Sequence, residues 1–269
     1  MKSRISRVSI FILMSIFAVI MLYPFYFMLK TAFKSNAQFI SGSNGFSLAS
    51  WDKLFTSMPV GRQLVNSLVI CSCSIILILL FSTFAGFGLA KLKFRGTPLL
   101  FLGIIGAMLV PLHSVIVPAY VNISKFNLLS TYWGAVLMYA ALGTPFATFL
   151  MTSFFKGLPD EIVEASIMDG LSYSRIFRKI AIPLSLPAIA TVVVLQFIQI
   201  WCDLLVGLLF LQNPANRTLT VGLGALSAGR TTEIPVLMAG SLISAIPAII
   251  VYLIFQKQIV AGLTAGVGK

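Results

Sequence analysis

The sequence predicts an all-α polytopic membrane protein with six transmembrane helices, and three observations lead there. Hydrophobic residues make up 58% of the 269, charged residues only 10%, and the mean hydropathy is +1.00. A soluble domain carries about a quarter charged residues, so the bilayer is the solvent here. Six stretches reach the roughly 20 mostly apolar residues needed to cross the hydrocarbon core. They are about Val8–Leu29, Leu64–Ala90, Leu99–Val121, Tyr132–Phe154, Leu186–Leu211 and Val236–Phe255. Basic residues sit mostly between these stretches rather than in one patch, so the net charge of +12 reports membrane orientation and not nucleic-acid binding.

Taken in order, the first stretch follows Lys2, Arg4 and Arg7 in the manner of a signal peptide. It is too long for an apolar region of about 7–15 residues and lacks a small-x-small cleavage site, so it is read as a retained helix. An even number of crossings puts both ends on one side of the membrane. That side carries twelve Lys and Arg residues against seven on the other, which assigns both termini to the cytoplasm. Pro24, Pro111, Pro118, Pro145 and Pro247 interrupt the crossings, as do Gly86, Gly88, Gly103 and Gly106. Such positions serve helix packing, or irregular backbone that lines a path. Cys71, Cys73 and Cys202 lie in apolar stretches and read as small buried hydrophobes, with no metal or disulfide spacing. No linker, low-complexity run or solenoid repeat divides the chain, so residues 1–269 are read as a single domain.

The longest cytoplasmic loop, about residues 155–186, holds four of the seven acidic residues, Asp160, Glu161, Glu164 and Asp169. Pro159 suits a first helical turn, and the carboxylates place negative charge near the positive N-terminal end of a short helix. Val163 with Ile167, and Ile162 with Ser166, are i,i+4 pairs beside the small Ala165. Gly170 supplies a left-handed stop, and Ser172 an N-cap for a second helix bearing Arg175, Arg178 and Lys179. Two readings fit this loop: an amphipathic segment lying on the membrane surface, or a docking helix for a cytoplasmic protein.

The pattern Glu164, Ala165, Ser166, Gly170, then Ile180 and Pro183, resembles the EAA loop of binding-protein-dependent ABC importer permeases. VPLHSVIVPAYVNISKFNLLSTYWG from Val110, WCDLLVGLLFL from Trp201, TLTVGL from Thr218 and FQKQIVAGLTAGVGK from Phe255 are similar to the carbohydrate branch, and to its maltose-type second permease. Ser166 takes the place of the motif's second alanine; His113 stands where the family often has glutamine, and Cys202 where it often has asparagine.

The resemblance implies a type I ABC importer permease fold in the cell inner membrane of a bacterium or archaeon. It implies one half of a sugar or oligosaccharide pathway, completed by a second homologous permease. Two cytoplasmic ATPase subunits would hold ATP and Mg²⁺, with no cofactor on this chain, and an extracytoplasmic binding protein would deliver the sugar. Coupling to the ATPase is expected from Glu161, Glu164, Ala165, Ser166, Asp169 and Gly170, and a C-terminal contact from Gly262, Thr264 and Gly266. The terminal GLTAGVGK is no phosphate loop: Gly262 and Gly268 enclose five residues rather than four, and no hydroxyl follows Lys269. The chain is therefore not read as an enzyme.

Candidate pathway residues are Trp201, Asp203, Tyr120, Asn122 and His113. Asp203 is the only carboxylate inside a crossing, and such groups mark function or pair with neighbours. Trp201 suits a sugar face or the interfacial aromatic belt. An ion-coupled secondary transporter or channel is the alternative class, and it predicts several paired charges within the crossings and no folded acidic loop.

Overall fold

The computed structural model describes residues 2–92, 94–229 and 233–265, with side chains over 9–92, 94–229 and 233–257. It is all-α, and no strand occurs among the described residues. In chain order the helices are α1 (Lys2–Ala32), α2 (Asn36–Ile40), α3 (Ala49–Ser57), α4 (Val60–Lys91), α5 (Thr97–Met108), α6 (Leu112–Lys125), α7 (Tyr132–Gly157), α8 (Asp160–Met168) and α9 (Tyr173–Ile176). A π-helical turn over Phe177–Ala181 leads to α10 (Ile182–Leu184), α11 (Leu186–Cys202), α12 (Leu205–Phe210), α13 (Leu219–Ser227) and α14 (Ile234–Ala265). Among the described residues α1, α4, α7 and α14 are each long and apolar enough to cross a membrane, and the number is six when each of two bent helix pairs is counted as one span.

Those bends are where the structure departs from six uninterrupted crossings. The third stretch is split into α5 and α6, which meet at 96°. Pro111, at φ −69° and ψ 136°, caps α6 and disfavours a helical Val110, so the helix ends before it. A second bend of 71° separates Tyr173–Leu184 from Leu186–Cys202. It falls at Ser185, between Pro183 and Pro187, just after the π-helical turn, and prolines and π-turns are the usual causes of sharp kinks. The fifth stretch is broken again at Asp203, whose backbone is extended. Pro24, Pro145 and Pro247 stay inside α1, α7 and α14.

The backbone forms two compact units. One comprises the described residues of Met1–Gly61 and Gly222–Ile246. After α1 the chain turns at Ser35, whose hydroxyl accepts from Gln38 N at 3.2 Å while Ser35 N donates to Gln38 Oε1 at 2.9 Å, a reciprocal capping box. Phe33 stacks on Phe46 and meets Trp51 at a tilt, each at 5.3 Å, and Lys53 pairs with Glu233 at 2.7 Å.

The other unit comprises the described residues of Arg62–Val221 and Pro247–Lys269, and α7 is its central helix. Just over half, 56%, of the α7 crossing window is buried, against 39% for α4. Close packing of α4 on α7 is what Gly86 permits: a Cβ there would lie 2.9 Å from Met151 Cβ and 3.0 Å from Thr152 N. Gly103 and Gly106, by contrast, have open space around them and no packing role. At one end Asn66 ties three segments, donating to the Ala215 and Arg217 carbonyls at 2.9 Å each and accepting from the Tyr132 hydroxyl.

Candidate functional site

The acidic loop is folded, and its geometry is set at its two ends. Leu158 ends α7 in extended conformation, and Pro159 precedes α8 without a side-chain cap. With no capping side chain, Asp160 and Glu161 in the first turn supply the negative charge that the helix N-terminus favours. At the other end Gly170 takes φ +78°. Gly170 N donates to the Ile167 carbonyl at 2.9 Å and Leu171 N to the Ser166 carbonyl at 3.0 Å, the paired bonds of a Schellman cap. Ser172 is extended and its carbonyl receives Arg175 N at 2.8 Å, but its side chain makes no capping bond to α9, unlike the cap expected from sequence.

α8 has two faces. Val163 and Ser166 are buried, and the Ser166 hydroxyl donates to its own helix at Ile162 O, 2.6 Å away. Ser166 thus packs inward, whereas the sequence grouped it with the docking residues. Glu161, Ile162, Glu164, Ala165 and Asp169 are exposed, and Met168 is 88% exposed. The result is a narrow apolar strip, Ile162, Ala165 and Met168 at i, i+3, i+6, flanked by carboxylates.

Below α8, the Lys91 side chain is 2% exposed and donates to Asp160 Oδ1 and to the Leu158 carbonyl, both at 2.6 Å. A cleft of about 160 Å³ opens beside it, lined by Lys91, Asp160, Val163, Glu164, Ile167 and Tyr173. Downstream, Phe177 stacks on Phe84 at 4.7 Å and meets Phe87 in a tilted contact at 5.3 Å, and Phe87 meets Phe155 edge-on at 5.7 Å. This aromatic cluster anchors the loop to α4 and α7. Arg175, Arg178 and Lys179 remain exposed, around a second cleft of about 360 Å³.

The five pathway candidates have different surroundings. Asp203 Oδ2 accepts from the Tyr139 hydroxyl at 2.9 Å and from Val206 N and Gly207 N at 2.9 and 3.4 Å, so the carboxylate caps α12 where the fifth crossing breaks. Trp201 is only 3% exposed, stacked on Phe197 at 5.2 Å, with its carbonyl receiving the Thr220 hydroxyl at 2.8 Å. The ring is thus enclosed rather than presented as an open face. The Tyr120 hydroxyl accepts from Gln212 Nε2 at 3.1 Å, while His113 and Asn122 are exposed on α6. Gly262 and Thr264, expected to contact the ATPase, lie on the helical backbone of α14, and Gly266 lies outside the described residues.

Sequence reasoning passed over Gln196. It is 1% exposed near the middle of α11, and its Nε2 has no hydrogen-bond partner among the described residues. With Asp203, Tyr139 and Gln199 it lines a small cavity of about 40 Å³. A glutamine in an apolar run was the available signal, since a polar side chain inside a crossing is costly unless it has a partner or a task.

A family model for the inner membrane component of binding-protein-dependent transport systems matches residues 2–264. The putative ABC transporter permease protein ORF2 of Caldicellulosiruptor sp. (strain Rt8B.4) is 33% identical over 269 residues, covering 96% of each chain. SmoH, the permease protein of a sulfoquinovosyl glycerol transport system in Agrobacterium fabrum, is 31% identical over 95% of this chain and 92% of its own. Among solved structures, a chain of a bacterial ABC transporter involved in import of the acidic polysaccharide alginate has a TM-score of 0.81 at 24% identity, covering 95% of this chain and 97% of that one. That identity speaks for the fold alone, whereas the family match spans nearly the whole sequence. The chain therefore belongs to the family of binding-protein-dependent transport system inner membrane components, and it is a permease subunit of an ABC importer.

Proposed function

We propose that this permease forms half of a sugar or oligosaccharide pathway through a bacterial inner membrane, with α8 as the element that its ATPase subunits move. The observation that carries this reading is the exposed face of α8, where Met168 stands 88% exposed between Ala165 and the carboxylates Glu161 and Glu164. A short helix with an apolar strip and an acidic rim suits an apolar groove edged with basic groups, and Ala165 allows close approach. The ATPase subunits would bring ATP and Mg²⁺. Closure of their dimer drives the permease only if its two conformations differ in contacts with them. A second homologous permease would complete the pathway, and an extracytoplasmic binding protein would present the solute. The excess of Lys and Arg on the side of α8 supports cytoplasmic termini. The sugar reading rests on the motif resemblance and on the sulfoquinovosyl glycerol system of a relative.

Glu164→Lys tests this reading. The variant should insert normally, lose transport and retain less ATPase on co-purification; undiminished transport refutes the assignment of α8.

A further inference from the structure

One ammonium joins three helix ends. Lys91 is the last residue of α4, Leu158 caps the C-terminus of α7, and Asp160 is the first residue of α8. Lys91 Nζ lies 2.6 Å from both the Leu158 carbonyl and Asp160 Oδ1. Each bond answers a charge that a helix terminus leaves behind. The ammonium sits at the negative end of α4, it donates to one of the orphan carbonyls of α7, and the carboxylate complements the positive end of α8. Asp160 is 59% exposed whereas Lys91 is almost fully enclosed, so the cation is the fixed member of the pair.

α4 has no covalent route to α8 shorter than the 69 residues from Lys91 to Asp160. Packing is thin as well, because Val163 and Ser166 are the buried side chains of α8 and the 160 Å³ cleft lies alongside Lys91 and Val163. Short polar bonds at one point therefore tie the end of α4 to α8 directly, whereas the aromatic contacts of Phe84 and Phe87 reach the loop downstream, at Phe177. We propose that Lys91 is a positioning residue that makes the cytoplasmic end of α4 move with α8 when the ATPase subunits displace it. This inference rests on the reading of α8 as their docking helix.

The test uses the assembled complex with its ATPase subunits, with the three native cysteines replaced by serine. Spin labels are placed at Leu92 and Met168, and the distance between them is measured with and without MgATP. With Lys91 present, the Met168 label loses mobility on assembly and the distance is the same in both conditions, because both ends move together. With Lys91→Met, MgATP shifts the distance by about 2 Å or more, the scale of helix shifts in switching proteins. Lys91→Arg, which keeps a cation able to reach both acceptors, restores the constant distance. If Lys91→Met does not assemble, Asp160→Asn decides, since it removes the charge that ties Lys91 to α8 while leaving the bond to Leu158, and should shift the distance in the same direction. A distance in the lysine variant or in Asp160→Asn as constant as in the unaltered protein overturns the inference and leaves docking intact. So does a distance that already changes with Lys91 in place. A Met168 label equally mobile with and without the ATPase subunits refutes docking itself, and this inference with it.

Discussion

Replacing Gly170 by alanine should raise the energy of the α8 C-terminus by about 1–2 kcal/mol, the cost of a left-handed backbone for an L residue. The structure isolates that term. Gly170 has φ +78°, and a Cβ built there meets nothing within 4 Å, so no steric overlap adds to it. What the conformation holds in place is the pair of bonds from Gly170 N to the Ile167 carbonyl and from Leu171 N to the Ser166 carbonyl, 2.9 and 3.0 Å long. A loss of about 1–2 kcal/mol multiplies the local opening equilibrium by about 5–30. Native-state hydrogen exchange should therefore show the amides of residues 169–171 exchanging faster by that factor, with the amides of α7 unaffected. Asparagine, which tolerates the left-handed region, should lose less than alanine. Exchange at the unaltered rate in Gly170→Ala, or a larger loss with asparagine, refutes the conformational account of this position.

Other substitutions probe the helix contacts. Gly86→Val places a branched side chain against Met151 and the Thr152 backbone, and should cost about 1–3 kcal/mol in a detergent thermal melt; Gly103→Ala, with open space around it, should be neutral or stabilising. Asp203→Ala removes the cap of α12 and the acceptor of the Tyr139 hydroxyl, and should lower the melting temperature by the equivalent of about 2 kcal/mol. Asp203→Asn, which keeps an acceptor oxygen, should lose less in the same melt. Gln196→Met keeps the shape and removes a buried, unpartnered amide, so it should raise the melting temperature, and a lower one would assign the amide a bound partner.

The all-helical fold was legible because apolar run length is a property of local sequence, and the bilayer imposes it on every crossing. The acidic loop was legible for a similar reason: proline, carboxylates and glycine at the right offsets are local signals of helix start and stop. Inside the loop the reading weakened. Ser166 looked like one small residue among several on a docking face, yet the helix turns it inward, and only the position of α4 and α7 decides which face that is. Met168, the most exposed large apolar side chain of α8, drew no attention because apolar residues in a membrane protein carry no contrast. The surroundings of Trp201 were illegible for a related reason. Aromatic type says that a ring will be enclosed or interfacial; the i,i+4 neighbour Phe197 belongs to the same helix, and it is the fold around α11 that leaves Trp201 3% exposed.

By itself the sequence determined the class of the protein and its signature loop, since both rest on runs and spacings within about thirty residues. The tertiary structure alone decided which residues of that loop face outward, that Lys91 holds the ends of α4, α7 and α8 together, and that Asp203 serves a helix cap. Lys91 and Asp160 are 69 positions apart, and Tyr139 and Asp203 are 64 apart. No local pattern encodes such pairings, because they arise only when helices distant in sequence close on one another and a buried charge must find its partner.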